Sequence, residues 1–201
     1  MGDRRVPEGG PTVAQDHRAR QYASTHQRIH EAAMRLFGER GYEEVSIAHI
    51  AAAAGVSVPT FYAHFTGKDE LIMALPRREE VAALLASVPS DLPLGERMHE
   101  VILGFIRGLE GSRRSDGLAR WRLIAETPGL RYRAAEFERA TAQMFLDALR
   151  VEDTDADTVA RVVVTAHMSA YTQALLRWAE SGGEERLEDL AAEVLAALRE
   201  L

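Results

Sequence analysis

The sequence predicts an all-α protein with an N-terminal three-helix head and a C-terminal helical bundle, about nine helices in total. Hydrophobic residues make up 46% of the 201 residues, alanine and leucine are abundant, and runs of β-branched residues are few, which favours helix over strand. Apolar residues recur at intervals of three and four, as expected for helices with one buried face. Glycine and proline separate these stretches.

Three helices are predicted in the head. They span residues 24–40, 46–54 and 57–65. Ser24 is the expected N-cap of the first helix, and Gly41 is expected to end it. Gly55 supplies the positive φ of the tight turn between the second and third helices. Residues 1–20 are predicted to form a disordered tail, because their first part is rich in glycine and proline and lacks an apolar run.

The body is predicted to begin with a fourth helix at residues 67–86, kinked at Pro76. A polar loop is expected at residues 111–116. Gly182 and Gly183 are expected to end a long helix. The remaining helices are predicted at residues 94–109, around 121–124, and at 130–150, 155–181 and 184–201.

The charge is distributed unevenly along the chain. Residues 17–68 carry six basic and four acidic side chains, a balance of +2, whereas residues 69–201 carry 16 basic and 24 acidic side chains, a balance of −8. Because affinity for phosphate comes from Lys and Arg, only the head has a balance suited to nucleic acid. There is no cysteine, which excludes disulfides and thiolate metal sites, and we expect no cofactor and no metal.

No stretch of the sequence predicts a membrane span. The most apolar stretch, residues 159–176, is interrupted by Arg161, His167 and Gln173, so burying it in a bilayer is costly. We therefore expect no membrane partner. The absence of cysteine suits a reducing compartment, and the predicted location is the cytoplasm.

A helix-turn-helix is predicted at residues 46–65, SIAHIAAAAGVSVPTFYAHF. Ala51 lets the two helices approach closely, Gly55 makes the turn, and Val56 fills the angle between the helices. In such a motif the first helix braces against the DNA backbone, and the early residues of the second face base edges in the major groove. The motif predicts a DNA-binding protein.

Residues 24–74 resemble the head of the TetR family of regulators. The matching positions are Gly55, Val56, Ser57, Thr60, Phe61, Tyr62, His64, Phe65 and Lys68. The resemblance implies that contacts to phosphates or sugar edges come from Thr60, Tyr62, His64 and Lys68. It implies that contacts to bases come from Ser57, Val58 and Pro59. Ser46 and His49 complete the predicted DNA-binding set.

Three of these assignments have a structural alternative. Tyr62 is also typical of a partly buried helix aromatic, His64 of a surface histidine, and Lys68 of a solvated lysine. Lys68 is the only lysine among 24 basic residues, and in the first turn of a helix the dipole opposes a cation by roughly 0.3 to 1 kcal/mol. A DNA phosphate would offset that cost.

The chain departs from the family at two positions. Gly67 stands where a serine often caps the fourth helix, and glycine is a weaker cap. The recognition helix begins with Val58 and Pro59, whose side chains offer no hydrogen bond to a base edge. Recognition would then rest on contacts to thymine methyl groups and on DNA shape.

Residues 120–131, RWRLIAETPGLR, resemble the ligand domain of the mycofactocin-regulator branch of the family, whose members respond to acyl-CoA thioesters. The resemblance implies a small-molecule effector. An acyl chain requires an apolar tunnel, and a CoA head requires cations. The candidate ligand-binding residues are Phe105, Trp121, Arg122, Phe137, Met144, Met168 and Tyr171. The alternative is core packing for the apolar members and a solvated face or an ion pair for the arginine.

The resemblance also implies how the chain is divided. Residues 1–20 form the tail, 21–67 the helix-turn-helix DNA-binding domain, and 68–201 a ligand-binding and dimerisation domain. In the family the last two long helices pair with those of a second copy. An apolar face suited to that role contains Val163, Ala170, Leu176, Trp178, Leu187, Leu190 and Leu198; the alternative is that it only closes the core of one copy.

The predicted function is a ligand-responsive transcriptional repressor that binds a near-palindromic operator as a homodimer and is released by a hydrophobic or acyl-CoA-like ligand. An activator of the same fold is the main alternative, because a helix-turn-helix does not encode the sign of its effect. A helical acyl or lipid carrier would leave the head without a purpose. An enzyme is not supported, since the sequence has no Gly-rich phosphate loop, HExxH motif or nucleophile elbow.

Overall fold

The computed structural model describes residues 13–73, 75–150 and 155–199. These residues form ten α-helices and no strand, so the predicted all-α fold class is confirmed. The chain divides between Leu71 and Ile72 into two compact units, here called the head and the body. The helices are α1 Val13–Arg40, α2 Ile47–Ala53, α3 Val58–Tyr62, α4 Lys68–Ile72, α5 Arg78–Ala86, α6 Leu94–Arg107, α7 Gly111–Glu126, α8 Pro128–Ala148, α9 Asp155–Glu180 and α10 Leu187–Ala197.

The head is built on the buried side of α1. Ile29, Ala33 and Phe37 follow one another at intervals of four on α1 and are at most 1% exposed. Ile50 of α2 and Phe61 of α3 are fully buried, and α2 packs against both α1 and α3. This small apolar core fixes α3 relative to the rest of the head.

The start of α1 differs from the prediction. The helix begins at Val13, so Ser24 lies inside it and is not its N-cap. Residues 13–20, predicted to belong to a disordered tail, are also helical; residues 1–12 lie outside the described part of the chain. The physical reason is that Tyr22 and His26 extend the helical spacing of the Ile29 stripe toward the N-terminus and pack on the head.

The predicted fourth helix at residues 67–86 is two helices. α4 ends at Ile72, and α5 begins at Arg78. Pro76 lies between them, and a proline removes an N–H group and disfavours helical backbone at the residue before it. It therefore separates two helices here and does not kink one.

The loop predicted at residues 111–116 is also wrong, because α7 starts at Gly111. Gly111 has a φ of +52°, which only glycine adopts easily at this helix entry. The guanidinium of Arg114 donates two hydrogen bonds, of 2.7 and 2.9 Å, to the carboxylate of Glu188 near the start of α10. This contact between positions distant in sequence stabilises a segment whose composition is typical of a loop.

The body is arranged around α9, which packs against α6, α7, α8 and α10. Its core-facing side includes Val164, Met168, Leu175 and Trp178, each at most 4% exposed. The predicted break after α9 is confirmed, since Gly182 and Gly183 have φ values of +67° and +86°. No helix in the described ranges is long and apolar enough to cross a membrane.

Candidate nucleic-acid interface and effector region

The start of α2 is held by a reciprocal cap between Ser46 and His49. The backbone N–H of His49 donates to Ser46 Oγ at 3.2 Å, and the backbone N–H of Ser46 donates to His49 Nδ1 at 3.3 Å. Both side chains are exposed. Their polar atoms therefore have a capping role, while their predicted contact with DNA remains a prediction.

The start of α3 is capped in a similar way. Ser57 Oγ accepts a hydrogen bond from the backbone N–H of Thr60 at 3.1 Å, and the two hydroxyl groups lie 2.8 Å apart. Gly55 has a φ of +65°, and the backbone N–H of Val56 donates to the carbonyl of Ala51 at 2.9 Å. These local bonds fix the turn before α3 and the direction in which α3 starts.

The outer side of α3 presents apolar and aromatic groups to solvent. Val58 is 38% exposed and Tyr62 is 54% exposed, and Pro59 is also exposed. Phe61, on the opposite side, is fully buried. The Tyr62 ring still meets the Phe61 ring edge-on at 5.6 Å, so both interpretations of Tyr62 remain open. The five-residue helix has one buried side and one largely exposed side.

The ammonium group of Lys68 contacts another residue of the head. Its Nζ donates to the backbone carbonyl of Tyr42 at 2.9 Å and lies 4.4 Å from the centre of the Tyr42 ring. The Tyr42 hydroxyl donates to Asp69 on the same helix as Lys68. The ammonium group has three donors, so the predicted phosphate contact is compatible with this internal bond and is not tested by it.

His64 is half-buried beside α1. Its ring stacks on Tyr22 of α1 at 4.2 Å, and His26 stacks on Phe65 at 4.2 Å. His64 Nδ1 is buried without a hydrogen-bond partner. Burial lowers the pKa of His64, and the neighbouring His26 acts in the same direction. A lowered pKa favours the neutral imidazole, which keeps one N–H donor, and the predicted phosphate contact of His64 stays a prediction.

The sequence prediction missed the contribution of α1 to this surface. The side chain of Tyr22 is 52% exposed and stacks on His64, which lies two residues after the end of α3. Arg18, one turn earlier, is exposed on the same helix. The sequence does contain a pattern that predicts this contribution. One helical stripe runs along α1 through Tyr22, His26, Ile29 and Ala33. The prediction missed the first two residues of the stripe because it started the helix at Ser24.

The predicted ligand-binding residues occupy different places in the body. Phe105 of α6 and Tyr171 of α9 meet, with ring centres 6.3 Å apart and planes nearly perpendicular. Trp121 and Met168 are buried core residues, and Phe137 and Met144 are half-buried on α8. Arg122 is exposed and lies at a separate surface cleft.

That cleft has a volume of about 280 Å³. Its lining includes none of the other six candidates and consists of Arg122, Ala125, Glu126, Arg131, Ala179, Glu180 and Gly182. Arg131 forms an ion pair with Glu180, so one of the two cations at the cleft already has a carboxylate partner.

The apolar face predicted for self-association mostly closes the core of the body. Ala170, Trp178, Leu187 and Leu190 are at most 9% exposed within one copy. The exposed apolar residues of α9 are instead Val159 and Val162, at 69% and 63%. They lie about one turn apart at the N-terminal end of the helix, and Val159 lies one turn before Val163 of the predicted face, on the same side of α9.

Family models match both parts of the chain. The model described as bacterial regulatory proteins of the tetR family matches residues 29–75. The model of the MftR C-terminal domain matches residues 92–201, which is more than half of the chain. The first match covers the helix-turn-helix, and the second covers the helices of the body from just before α6 onward.

Individual proteins agree with these matches. The regulator TcmR of Streptomyces glaucescens is 32% identical over 136 residues, which are 63% of this chain and 58% of TcmR. The repressor AcnR of Corynebacterium diphtheriae is 26% identical over 83% of this chain and 89% of its own length. The structure of FadR from Bacillus subtilis, in complex with stearoyl-CoA, is similar with a TM-score of 0.52 and 19% identity, covering 86% of this chain and 97% of FadR.

Proposed function

The chain belongs to the TetR family of bacterial regulatory proteins and is a helix-turn-helix transcription regulator, and from this premise we propose that it represses transcription by binding an operator through α3. The observation that carries the proposal is the division of α3 into two sides. Phe61 anchors the helix in the head while Val58 and Tyr62 face solvent. Because Phe61 fixes α3 on the head, the exposed side of α3 is available to enter the major groove of DNA.

The chemistry of that side favours a particular mode of recognition. Val58 and Pro59 have no hydrogen-bonding side-chain group, so they suit the methyl groups of thymine and the shape of the groove. Tyr62 carries a phenolic O–H that reaches phosphate oxygens. Arg18 on the first turns of α1 adds a cation to the proposed interface, because α1 packs on the end of this surface through Tyr22 and His64.

The test of DNA binding is a fluorescence-anisotropy titration of DNA from upstream of the chain's own gene, at several salt concentrations. Tyr62→Ala is expected to weaken binding roughly 5- to 100-fold, the loss of one or two good contacts. Tyr132→Ala is the matched control, since Tyr132 is 75% exposed on α8 of the body. Equal affinity of the two variants would reject α3 as the contact surface.

The effector is proposed to be an amphipathic molecule bound in the body. The match to the MftR C-terminal domain supports a ligand domain, and stearoyl-CoA in the FadR structure supplies a first compound to try. Release of the DNA complex by stearoyl-CoA, with weaker release from Arg122→Met, would support a CoA contact at the cleft. Release that is identical in Arg122→Met would remove the cleft from the proposal.

A homodimer is proposed because one α3 reads only a half-site, and two half-sites one DNA turn apart give the affinity that an operator needs. The exposed pair Val159 and Val162 on α9 is the best-supported start of the interface. Light scattering on the full chain is expected to give twice the monomer mass, and Val162→Asp is expected to lower it. A monomer at all concentrations would reject the dimer.

The sign of regulation needs its own assay. A reporter driven by the bound promoter is expected to rise when the chain is removed. A reporter that falls instead would make the chain an activator of the same fold.

A further inference from the structure

Two polar side chains of the body lie on the core-facing sides of helices that pack together. On α7 that side is defined by the buried residues Gly117, Trp121 and Ile124, and Arg120 falls within its stripe. On α9 it is defined by Met168 and Leu175, and Tyr171 falls between them. α7 and α9 pack against each other, so a cation and a phenol are directed into the same bundle.

Arg120 has no anionic partner in the described part of the body. It makes no hydrogen bond and no ion pair there, whereas Arg114 is paired with Glu188 and Arg177 with Glu193. Asp116, exposed one turn earlier on α7, acts on Arg120 only through its charge. Burial of the guanidinium lowers the pKa of Arg120, and no ion pair offsets the loss of hydration that burial brings.

Tyr171 is the second donor at this place. Burial raises the pKa of its phenol well above the ordinary value, and the charge of Arg120 opposes that shift. Tyr171 therefore keeps its proton and donates an O–H. The ring of Phe105 meets the Tyr171 ring at 6.3 Å, so an apolar wall adjoins the two donors.

Both side chains keep partial access to solvent. In the described part of the body, some buried side-chain polar atoms have no hydrogen-bond partner. They include His99 Nδ1 and Arg97 Nε, but no atom of Arg120 or Tyr171. Both side chains are half-buried overall. Their polar atoms are thus not fully sealed off by the protein, although most of their surroundings in the bundle are apolar.

We propose that Arg120 and Tyr171 form an oxyanion subsite that binds the anionic group of the effector, with the apolar part of the effector lying against Phe105. The inference rests on the proposed function and gives its effector a chemical class, an amphipathic anion. A guanidinium offers a carboxylate or phosphate two parallel N–H donors, and the phenol supplies a third. The oxyanion comes either from a free long-chain carboxylate or from a phosphate group of an acyl-CoA.

The test is isothermal titration of the full chain with three probes of equal chain length: dodecanoate, dodecanoyl-CoA and dodecanol. Wild-type protein is expected to bind one or both anions more tightly than the neutral alcohol. Arg120→Met is expected to weaken anion binding roughly 10- to 100-fold and to leave dodecanol binding unchanged. Tyr171→Phe is expected to weaken anion binding several-fold, and Arg139→Met, an exposed arginine on α8, is the control.

The probes separate the two sources of the anion. If Arg120→Met weakens the binding of dodecanoate only, the natural anion is assigned as a free carboxylate. If it weakens the binding of dodecanoyl-CoA only, the natural anion is assigned as an acyl-CoA. The inference is overturned if Arg120→Met binds both anions like wild type, or if wild type binds neither anion better than dodecanol.

Two further measurements keep a negative result interpretable. Arg120→Met is expected to unfold at the same or a higher temperature than wild type, because it removes a desolvated and unpaired charge; a clear fall would mean that Arg120 has a structural partner and would also overturn the inference. DNA binding without effector is expected to be unchanged. Loss of DNA binding by wild type itself would instead mark a failure of the proposed function.

Discussion

The N-terminal caps of α2 and α3 in the head and the ion pairs between body helices join polar side chains over different distances along the chain. In the head, Ser46 bonds His49 and Ser57 bonds Thr60, each three residues away. In the body, Arg114 bonds Glu188 across 74 residues, and Arg131 pairs with Glu180 across 49. The local caps fix where α2 and α3 begin, while the partly buried pair of Arg114 and Glu188 joins α7 to α10.

The largest expected effect is loss of the head's anchor. Phe61→Ala is expected to lower the free energy of unfolding by about 3 to 5 kcal/mol, because Phe61 is fully buried and its removal leaves a cavity. Urea denaturation followed by circular dichroism measures it. Tyr62→Ala, next in sequence but exposed, is the control and is expected to stay within about 0.5 kcal/mol of wild type. Similar losses in both variants would show that the two sides of α3 are not distinct.

The next effect tests the distant pair in the body. Glu188→Gln is expected to lower the free energy of unfolding at neutral pH by about 1.5 to 3 kcal/mol, since the carboxylate accepts two hydrogen bonds from a charged group in a partly buried place. The exposed pair of Arg177 and Glu193 is the control. Glu193→Gln is expected to change the free energy of unfolding by less than about 1 kcal/mol.

The same pair has a defined pH dependence. The hydrogen bond from Arg114 lowers the pKa of Glu188 from 4.5 to about 2. A carboxylate whose folded-state pKa is lowered contributes stability that is complete above the unfolded pKa and is lost as the pH falls through the folded value. The difference between wild type and Glu188→Gln should therefore shrink between pH 4.5 and about 2. A constant difference would contradict the pairing.

The smallest effect concerns a local cap. Ser57→Ala is expected to cost about 1 kcal/mol of stability, the usual value for losing an N-cap, because Ser57 Oγ accepts from the Thr60 N–H. Ser115→Ala, an exposed serine inside α7, is the control with no N-cap to lose. If Ser57→Ala has no effect on stability, the local cap at the start of α3 does not stabilise the head.

The same difference in range explains what could be predicted from sequence. Gly55, Ser57 and Phe61 determine the helix-turn-helix through contacts within a few residues, so their positions were predictable from the sequence. The true start of α7 depends on Glu188 meeting Arg114, and the break at Pro76 depends on two helices separating where one was expected. Such contacts are set by packing, which leaves no local pattern in the chain.

The candidate sites follow the same rule. The exposure of Val58 and Tyr62 agrees with a motif that is recognisable in sequence. Phe105 and Tyr171 were named as candidates from residue type, but their contact, and the position of Arg120 beside Tyr171, come from the packing of α6, α7 and α9. On the apolar face expected to pair two copies, Trp178 and Leu187 are buried within one copy, so these two residues close the core, and the pairing of two copies stays a prediction.

The most direct test of the central claim is a selection of fragments from the host's genomic DNA by the purified full chain, run beside Val58→Asp. Val58→Asp places a negative charge on the exposed side of α3, where phosphates repel it. Wild type is expected to enrich fragments sharing an inverted repeat with half-sites one helical turn apart, and Val58→Asp is expected to enrich none. Enrichment of the same fragments by both proteins would contradict DNA recognition through α3.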